Sequence, residues 1–186
     1  MPLPLEGPRI RLRYPESKDA ASLARHAHDK EIARWTFIPY PYDITEARKF
    51  FRLSKTARRK GTGLHLLIEH IATGEAIGMV GLDGISKKYN RAELGYWLSR
   101  HYRGQGIMSE ALGLALKFYF HELKFHRLIA HVFEGNTASM LLLERMGFVQ
   151  EGCLRKHVLR RKRWTNVHIY GLQRSEFKPS RLPFAP

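Results

Sequence analysis

The segment Arg103-Gly104-Gln105-Gly106-Ile107-Met108 stands between a stretch of extended character and a long apolar helical pattern. Glycines let the backbone turn tightly and come close to a ligand, and the free N–H groups and positive dipole end of a following helix attract phosphate oxygens. A pyrophosphate suits such a place. Taken alone, two glycines before a helix equally mark a plain helix start. The spacing is not that of a Walker loop, and the third glycine of a dinucleotide fold is missing. Other reactive side chains say less. The ten histidines include His26, His28, His65 and His70, but no spacing matches a zinc pattern, and no metal is expected. Cys153, the single cysteine, has no evident His-Asp setting and is read as a small core residue. It excludes an internal disulfide framework and a cysteine-rich zinc site, and it fits a reducing compartment.

The elements that must position the loop follow from periodicity. With 186 residues, 44% of them hydrophobic and 26% charged, the chain falls in the range of one globular domain, expected over 1–178 with a flexible proline-containing tail over 179–186. Arg9 to Arg13 alternates as a strand, and Asp19 to Ile32 has the spacing of one helix. Arg34 to Tyr42, rich in aromatics and proline, is read as a packed loop, and a second helix begins at Thr45 and ends at Gly61 and Gly63. Three extended runs, His65–Ile71, Ala76–Leu82 and Arg91–Leu98, form an antiparallel meander. Met108 to Leu123 is a helix apolar enough to lie against a sheet. A strand over Arg127–Phe133, a helix from Asn136 to Met146 stopped by Gly147, and strands over Phe148–Leu154 and Val167–Leu172 complete the chain. The order describes an α/β (mixed α+β) fold: a single mixed, mostly antiparallel sheet of about seven strands flanked by about four helices.

Several motifs in order resemble the GNAT acetyltransferase superfamily, in the branch of the RimJ and RimL ribosomal-protein N-terminal acetyltransferases. They are Ala92-Glu93-Leu94-Gly95-Tyr96-Trp97-Leu98, His101-Tyr102-Arg103-Gly104-Gln105-Gly106-Ile107-Met108-Ser109-Glu110-Ala111, His126-Arg127, Asn136-Thr137-Ala138-Ser139, Glu144-Arg145-Met146-Gly147-Phe148 and Glu151-Gly152. The resemblance covers nearly the whole chain. One departure is Met108, where the family's phosphate signature has glycine or alanine; the ligand there is held by backbone amides, which the substitution leaves in place.

The resemblance implies the GNAT fold and acetyl-CoA as acetyl donor. It implies that the backbone of Trp97, Leu98 and Ser99 pairs with the pantetheine arm, and that the loop Arg103, Gly104, Gln105, Gly106, Ile107, Met108 and Ser109 holds the pyrophosphate. Asn136 would bond the pantetheine arm, serve as a helix N-cap, or do both. An amine attacks only when neutral, so a base is needed. Glu93 is the candidate; alternation puts it with Gly95 and Trp97 on one face and Leu94, Tyr96 and Leu98 on the other. The alternative for Glu93 is a surface glutamate. Ser139, one turn into the last helix, either donates a hydrogen bond to the departing thiolate or packs the helix. Trp35 and Tyr40 either wall the acceptor site, with Phe37 and Tyr42 nearby, or belong to the core.

The charge balance, 32 Lys and Arg against 17 Asp and Glu for a net +15, favours an anionic neighbour. Bases gather at Arg52, Lys55, Arg58, Arg59 and Lys60, and again from Arg155 to Arg163, the second expected around and between the last two strands. Charge alone does not choose between a solvated face, an acidic protein, a ribosomal surface and nucleic acid. Expected partners are acetyl-CoA and a protein N-terminus or a small amine, without membrane, for a monomer or homodimer. The N-terminal residues lack a signal pattern, so a cytoplasmic location is expected. The competing reading is a basic ribosome- or nucleic-acid-binding module that keeps the fold without catalysis.

Overall fold

The computed structural model describes residues 3–160 and 162–179; beyond Pro179, the expected flexible tail lies outside the described residues. The chain begins with two short antiparallel strands, β1 (Leu5–Glu6) and β2 (Ile10–Arg13). Three helices follow: α1 (Ala20–Ala27), α2 (Lys30–Trp35) and α3 (Ile44–Lys60). After the meander β3 (Leu64–His70), β4 (Ala76–Ser86) and β5 (Arg91–Leu98) come α4 (Ile107–Lys117), β6 (Arg127–Phe133), α5 (Thr137–Arg145), β7 (Val149–Arg160) and β8 (Arg163–Gln173). The eight strands form one sheet in the order β1-β2-β3-β4-β5-β6-β8-β7. Every pairing is antiparallel except β5 with β6.

Alternation along the strands divides the interior into two cores. One face carries Leu66, Ile68, Val80, Leu94, Leu128 and Tyr170 under α4 and α5. The other carries Leu67, Ala76 and Met79 under Ala20, Leu23, Ala27 and Ala47 of α1 and α3, where small side chains let the helices sit close to the sheet. Full burial of each leucine or isoleucine contributes roughly 1.5–3 kcal/mol. The two-residue β1, too short to leave a periodic signal, is the strand that the sequence reading did not contain.

Around the site the elements depart from those expected in four places. The single helix expected over Asp19 to Ile32 is two helices. The chain breaks at His28 and Asp29, because the Asp29 carboxylate accepts from Glu31 N–H (2.9 Å) as the N-cap of α2 and His28 Nδ1 is held at Tyr42 O (2.9 Å). The second helix also extends through Trp35, which was assigned to a loop. Much of the second basic run lies within strands: Arg155, Lys156 and Arg160 are on β7 and Arg163 is on β8, with Lys162 in the turn between them. Charged residues on both sides of an extended ribbon erase the apolar alternation that identifies strands. Cys153, expected in the core, is instead exposed on β7.

Below α1 lies a buried ionic cluster that ties the first helix to the sheet. The Arg13 guanidinium makes a bidentate pair with Asp19 (2.8 Å to each oxygen) and a further bond to Glu69, which also takes Arg11 at 2.9 Å. Hydrogen bonds to Asp19 raise the already high pKa of Arg13 despite burial, and Glu69 and both negative charges add to the effect. Arg13→Ala leaves Asp19 without its partner and should lower unfolding free energy by about 3 kcal/mol in urea titration; a loss under about 1 kcal/mol would mean that the cluster acts as a solvated surface pair.

Candidate active site

The site starts from a split in the sheet. Strands β5 and β6 are in parallel register only from Arg91 and Arg127 to Glu93 and Ile129. Beyond that point β5 follows β4 as far as Leu98, while β6 follows β8 as far as Phe133, so the two diverge. Successive residues of a strand turn their main-chain groups to opposite edges. The Ser99 N–H donates to Ile77 O (2.9 Å), which turns Trp97 toward β4 as well and sends the N–H and C=O of Tyr96 and Leu98 into the gap. Of the three residues expected to pair with a ligand there, Leu98 faces the opening and Trp97 and Ser99 do not; its carbonyl already accepts from Arg103 Nε (3.0 Å). Ser99 is buried, with its hydroxyl 3.0 Å from His26 Nδ1.

The glycine loop lies at the wide end of the split. Gly104 and Gly106 have φ of 74° and 76°, the left-handed region where a side chain is strained. Gly106 is the N-cap of α4 and offers no side chain to the helix's first N–H groups. The first donor satisfied within the helix is Glu110 N–H, on Gly106 O (3.0 Å), and the amides before it, including Ile107, Met108 and Ser109, are left to converge on a ligand. Gln105 spends its side chain on His101 O (3.0 Å). Its carbonyl accepts from Arg9 Nη1 (2.6 Å), and the same arginine donates its main-chain N–H and Nε to the Glu110 carboxylate (2.9 and 2.8 Å). Glu110, 1% exposed, is thus a buried anion in the first turn of α4, where the helix dipole favours it. Arg9 and Glu110 brace the loop from below, a role that sequence reasoning missed; only the motif position of Glu110 hinted at it.

Toward the narrow end of the split, two polar pairs lie on opposite faces. Glu93 Oε1 is 2.9 Å from His131 Nδ1 across the gap, with the side chains 47% and 36% exposed. Beside them a Cβ on Gly95 would meet nothing within 4 Å, so there is open space next to the carboxylate. His131 was not picked out from the sequence, although alternation along β6 through Arg127 and Ile129 puts it on the same face as Glu93. On the other face, the Ser139 hydroxyl is 2.8 Å from the Tyr96 phenol. Burial raises the Tyr96 phenol well above its usual range, with Tyr170 adding to the shift and the Ser139 bond opposing it. The phenol therefore stays protonated and can donate to Ser139 Oγ, freeing the serine proton to point elsewhere. Asn136 caps α5, its Oδ1 accepting from Ser139 N–H (3.3 Å).

Two clefts border α2 and the segment after it, with Tyr40 lining both and neither reaching Glu93 or His131. The first, about 350 Å³, is lined by His26, Asp29, Ser99 and Arg100; the second, about 480 Å³, by Phe37, Ile38, Leu159 and Arg160. Trp35 closes the end of α2, its Nε1 donating to Glu31 (3.2 Å) and its ring edge lying 3.5 Å from where a Cβ on Gly135 would stand. Tyr42 belongs to the core, where burial, helped by the nearby Glu46 and Asp43 charges, raises its phenol to about 12. Across the second cleft, Arg160 donates to the carbonyls of Ala33, Arg34 and Thr36 (2.6, 2.7 and 2.7 Å) and lies 4.0 Å over the Phe133 ring. It satisfies the C-terminal carbonyls of α2 and fixes the β7–β8 hairpin to the Thr36–Ile38 segment. Nothing in the sequence distinguished Arg160 from the bases around it. Among the described residues, no cluster of three or more His, Cys, Asp or Glu could hold a metal ion, and no helix is long and apolar enough to cross a membrane.

Comparison with known proteins matches residues 9–149 to the family described as acetyltransferase (GNAT) domain. A protein named uncharacterized N-acetyltransferase p20, from Bacillus licheniformis, is 31% identical over 169 residues, spanning 91% of this chain and 95% of its own. The ribosomal-protein-serine acetyltransferase of Escherichia coli (strain K12) is 31% identical over 96 residues, 52% of this chain and 54% of its own. Among solved structures, Mycobacterium smegmatis RimJ in complex with CoA-disulfide superposes with a TM-score of 0.82 at 24% identity, covering 93% of this chain and 87% of its own.

The Arg160 contacts give a test that needs no ligand. In Arg160→Ala three helix-terminal carbonyls lose their donors, so amide exchange in α2 and the Thr36–Ile38 segment should rise by about tenfold while β5 is unaffected. Unchanged exchange there would show that the hairpin does not hold the cleft wall.

Proposed function

The chain belongs to the GNAT acetyltransferase family, and we propose that it transfers an acetyl group from acetyl-CoA to the α-amino group of a protein N-terminus. One observation carries the reading. The split between β5 and β6 leaves main-chain groups of β5 unpaired, with the glycine loop at its wide end and the Glu93–His131 pair at its narrow end. This is the arrangement required by a long ligand with phosphates at one end and a reactive group at the other. The loop amides from Gly104 to Ser109 would bind the pyrophosphate, and Tyr96 and Leu98 would offer the pantetheine arm strand-like bonds. Bound acetyl-CoA supplies the acetyl group as a thioester.

The protein's own groups do the rest. Tyr40 lines both clefts and Phe37 the second, with Trp35 closing the end of α2; an amine would approach from this side toward the open space beside Gly95. The Glu93–His131 pair takes the proton that the ammonium must lose, its hydrogen bond sharing the charge between carboxylate and imidazole. Ser139, with its oxygen held by Tyr96, turns its proton toward the sulfur that leaves. A serine hydroxyl is too weak an acid to give up that proton fully, so its part is a hydrogen bond. Asn136 positions Ser139 by accepting through Oδ1 in the cap and keeps its Nδ2 amide group as a donor for the pantetheine arm.

Three arguments support an α-amino acceptor. An N-terminal amine has a pKa near about 8 and lysine near about 10.4, so at neutral pH a free N-terminus offers some hundredfold more of the neutral nucleophile. The Escherichia coli relative is named as an acetyltransferase of ribosomal-protein serine. A net charge of +15 also repels polycations such as spermidine. The test is thiol release with Ala-, Ser- and Met-starting peptides against free amino acids, spermidine and an aminoglycoside. At least one peptide should lead; a small amine ahead of every peptide by more than about tenfold in specificity constant would overturn the N-terminal assignment.

The two ends of the split should respond separately. Glu93→Gln should lower turnover by about a hundredfold with acetyl-CoA affinity nearly unchanged, whereas Gly106→Val, strained at its φ, should weaken acetyl-CoA binding by calorimetry at least about tenfold. Wild-type turnover in the first variant would return Glu93 to a surface role, and an unchanged dissociation constant in the second would mean that the loop does not hold the pyrophosphate.

A further inference from the structure

The carbonyl of Leu98 faces the split between β5 and β6, yet it is already occupied, because Arg103 Nε donates to it at 3.0 Å. An amide of a ligand lying along β5 needs that carbonyl as its acceptor, so the arginine must give it up. The main chain there is pinned. The Ser99 N–H donates to Ile77 O (2.9 Å), and the Ser99 hydroxyl is 3.0 Å from His26 Nδ1, whose Nε2 lies 3.3 Å from Glu75. The Arg103 side chain, 41% exposed, is the part that can turn. Among the described residues, the one carboxylate paired with it is Asp29, and that pair is incomplete. Asp29 Oδ1 caps α2 through the Glu31 N–H (2.9 Å). Asp29 Oδ2 is buried and accepts no hydrogen bond among the described residues, with Arg103 Nη2 at 3.9 Å. At that separation the two attract by charge without a hydrogen bond, and a buried carboxylate oxygen without a donor is costly.

We propose that Asp29 is a positioning residue for the donor: when a ligand amide takes Leu98 O, Arg103 passes to Asp29 Oδ2 and closes the gap to a charge-assisted hydrogen bond. The inference rests on the reading that acetyl-CoA lies along the split, and it is independent of which amine is the acceptor. One event then has two effects. The cost of the orphan oxygen is relieved only in the bound state, which favours binding. The loop that begins at Arg103 also becomes tied to the N-cap of α2, and residues of α2 line both clefts, Lys30 the first and Ala33 the second. Donor loop and cleft wall are thereby coupled, and reciprocity requires that whatever firms α2 also tightens the donor. Charge alone predicts the reverse, since a carboxylate beside a phosphate-binding loop repels phosphates. The sign of the Asp29 effect therefore separates the two.

The probe is CoA alone, without acceptor or turnover. Asp29→Asn keeps a good N-cap and removes the charge. It should weaken CoA binding in calorimetry by about fivefold or more. The melting temperature of the free protein should stay within about 2 °C of wild type, because the bond that the substitution removes is not formed there. In an Arg103→Gln background the same substitution should change CoA affinity by less than about twofold, since its partner is already gone. Amide exchange from Glu31 to Trp35 should slow by about fivefold when CoA is added to the wild type and should stay unchanged in Asp29→Asn. Unchanged or tighter CoA binding in Asp29→Asn would overturn the proposal, as would a loss of the same size in the Arg103→Gln background. So would a free Asp29→Asn protein that melts several degrees lower, or α2 exchange that slows equally in both proteins. Any of these results from a wild-type protein that does bind CoA fails the Asp29 link and leaves the donor reading standing; a wild-type protein that binds no CoA overturns both.

Discussion

The divergence of β5 from β6 after Glu93 and Ile129 is the constraint on which the rest of the structure depends. A sheet interior that leaves strand groups unpaired loses hydrogen bonds that burial makes costly to forgo, so the split persists only because each strand is held by its other neighbour. β4 holds β5 through Leu98, and β8 holds β6 through Phe133. The opening is flanked by Tyr96 and Ser139 on one face and by Glu93 and His131 on the other. A ligand bound along the split would have its far end between a carboxylate–imidazole pair and a hydroxyl pair.

The loop at the wide end depends on a second balance. Amides that converge on an anion repel one another when it is absent, and a flexible glycine turn would relax. Arg9 opposes this from outside the motif by holding Gln105 O and the buried Glu110 carboxylate together. A residue just before β2 thus stiffens a loop nearly a hundred residues later, and the carboxylate offsets part of the positive potential that the helix start concentrates. On the acceptor side Arg160 does the comparable work, joining a hairpin late in the chain to the end of α2.

Much of this was legible in the sequence where local chemistry decides. The meander, β6, the last helix with its Asn136 cap and the left-handed turns at Gly61 and Gly147 appear in the structure where periodicity and turn residues put them. The glycine loop lies at the expected helix start, and Glu93 faces the expected way. What escaped was decided by distant partners. The break between α1 and α2 needs Tyr42 O to hold His28, and the pairing of His131 with Glu93 needs two strands in parallel register. The strand character of 155–160 and 163–165 comes from the β7–β8 ladder, since the residues themselves alternate poorly. The resemblance implies ligand pairing by Trp97, Leu98 and Ser99 together, and only the register with β4 shows that Leu98 alone of the three turns toward the gap. Residue types alone marked Arg160 as one base among many; only coordinates show its three carbonyl partners.

The central claim is that the open edge of β5 and the glycine loop together hold the acetyl donor. The most direct measurement is an NMR titration of amide shifts in the ¹⁵N-labelled protein with CoA. The account expects the largest shifts at Tyr96, Leu98 and Gly104 through Ser109, with the amides of the β7–β8 tip nearly still. Large shifts confined to the basic hairpin, with the loop and β5 unmoved, would contradict it.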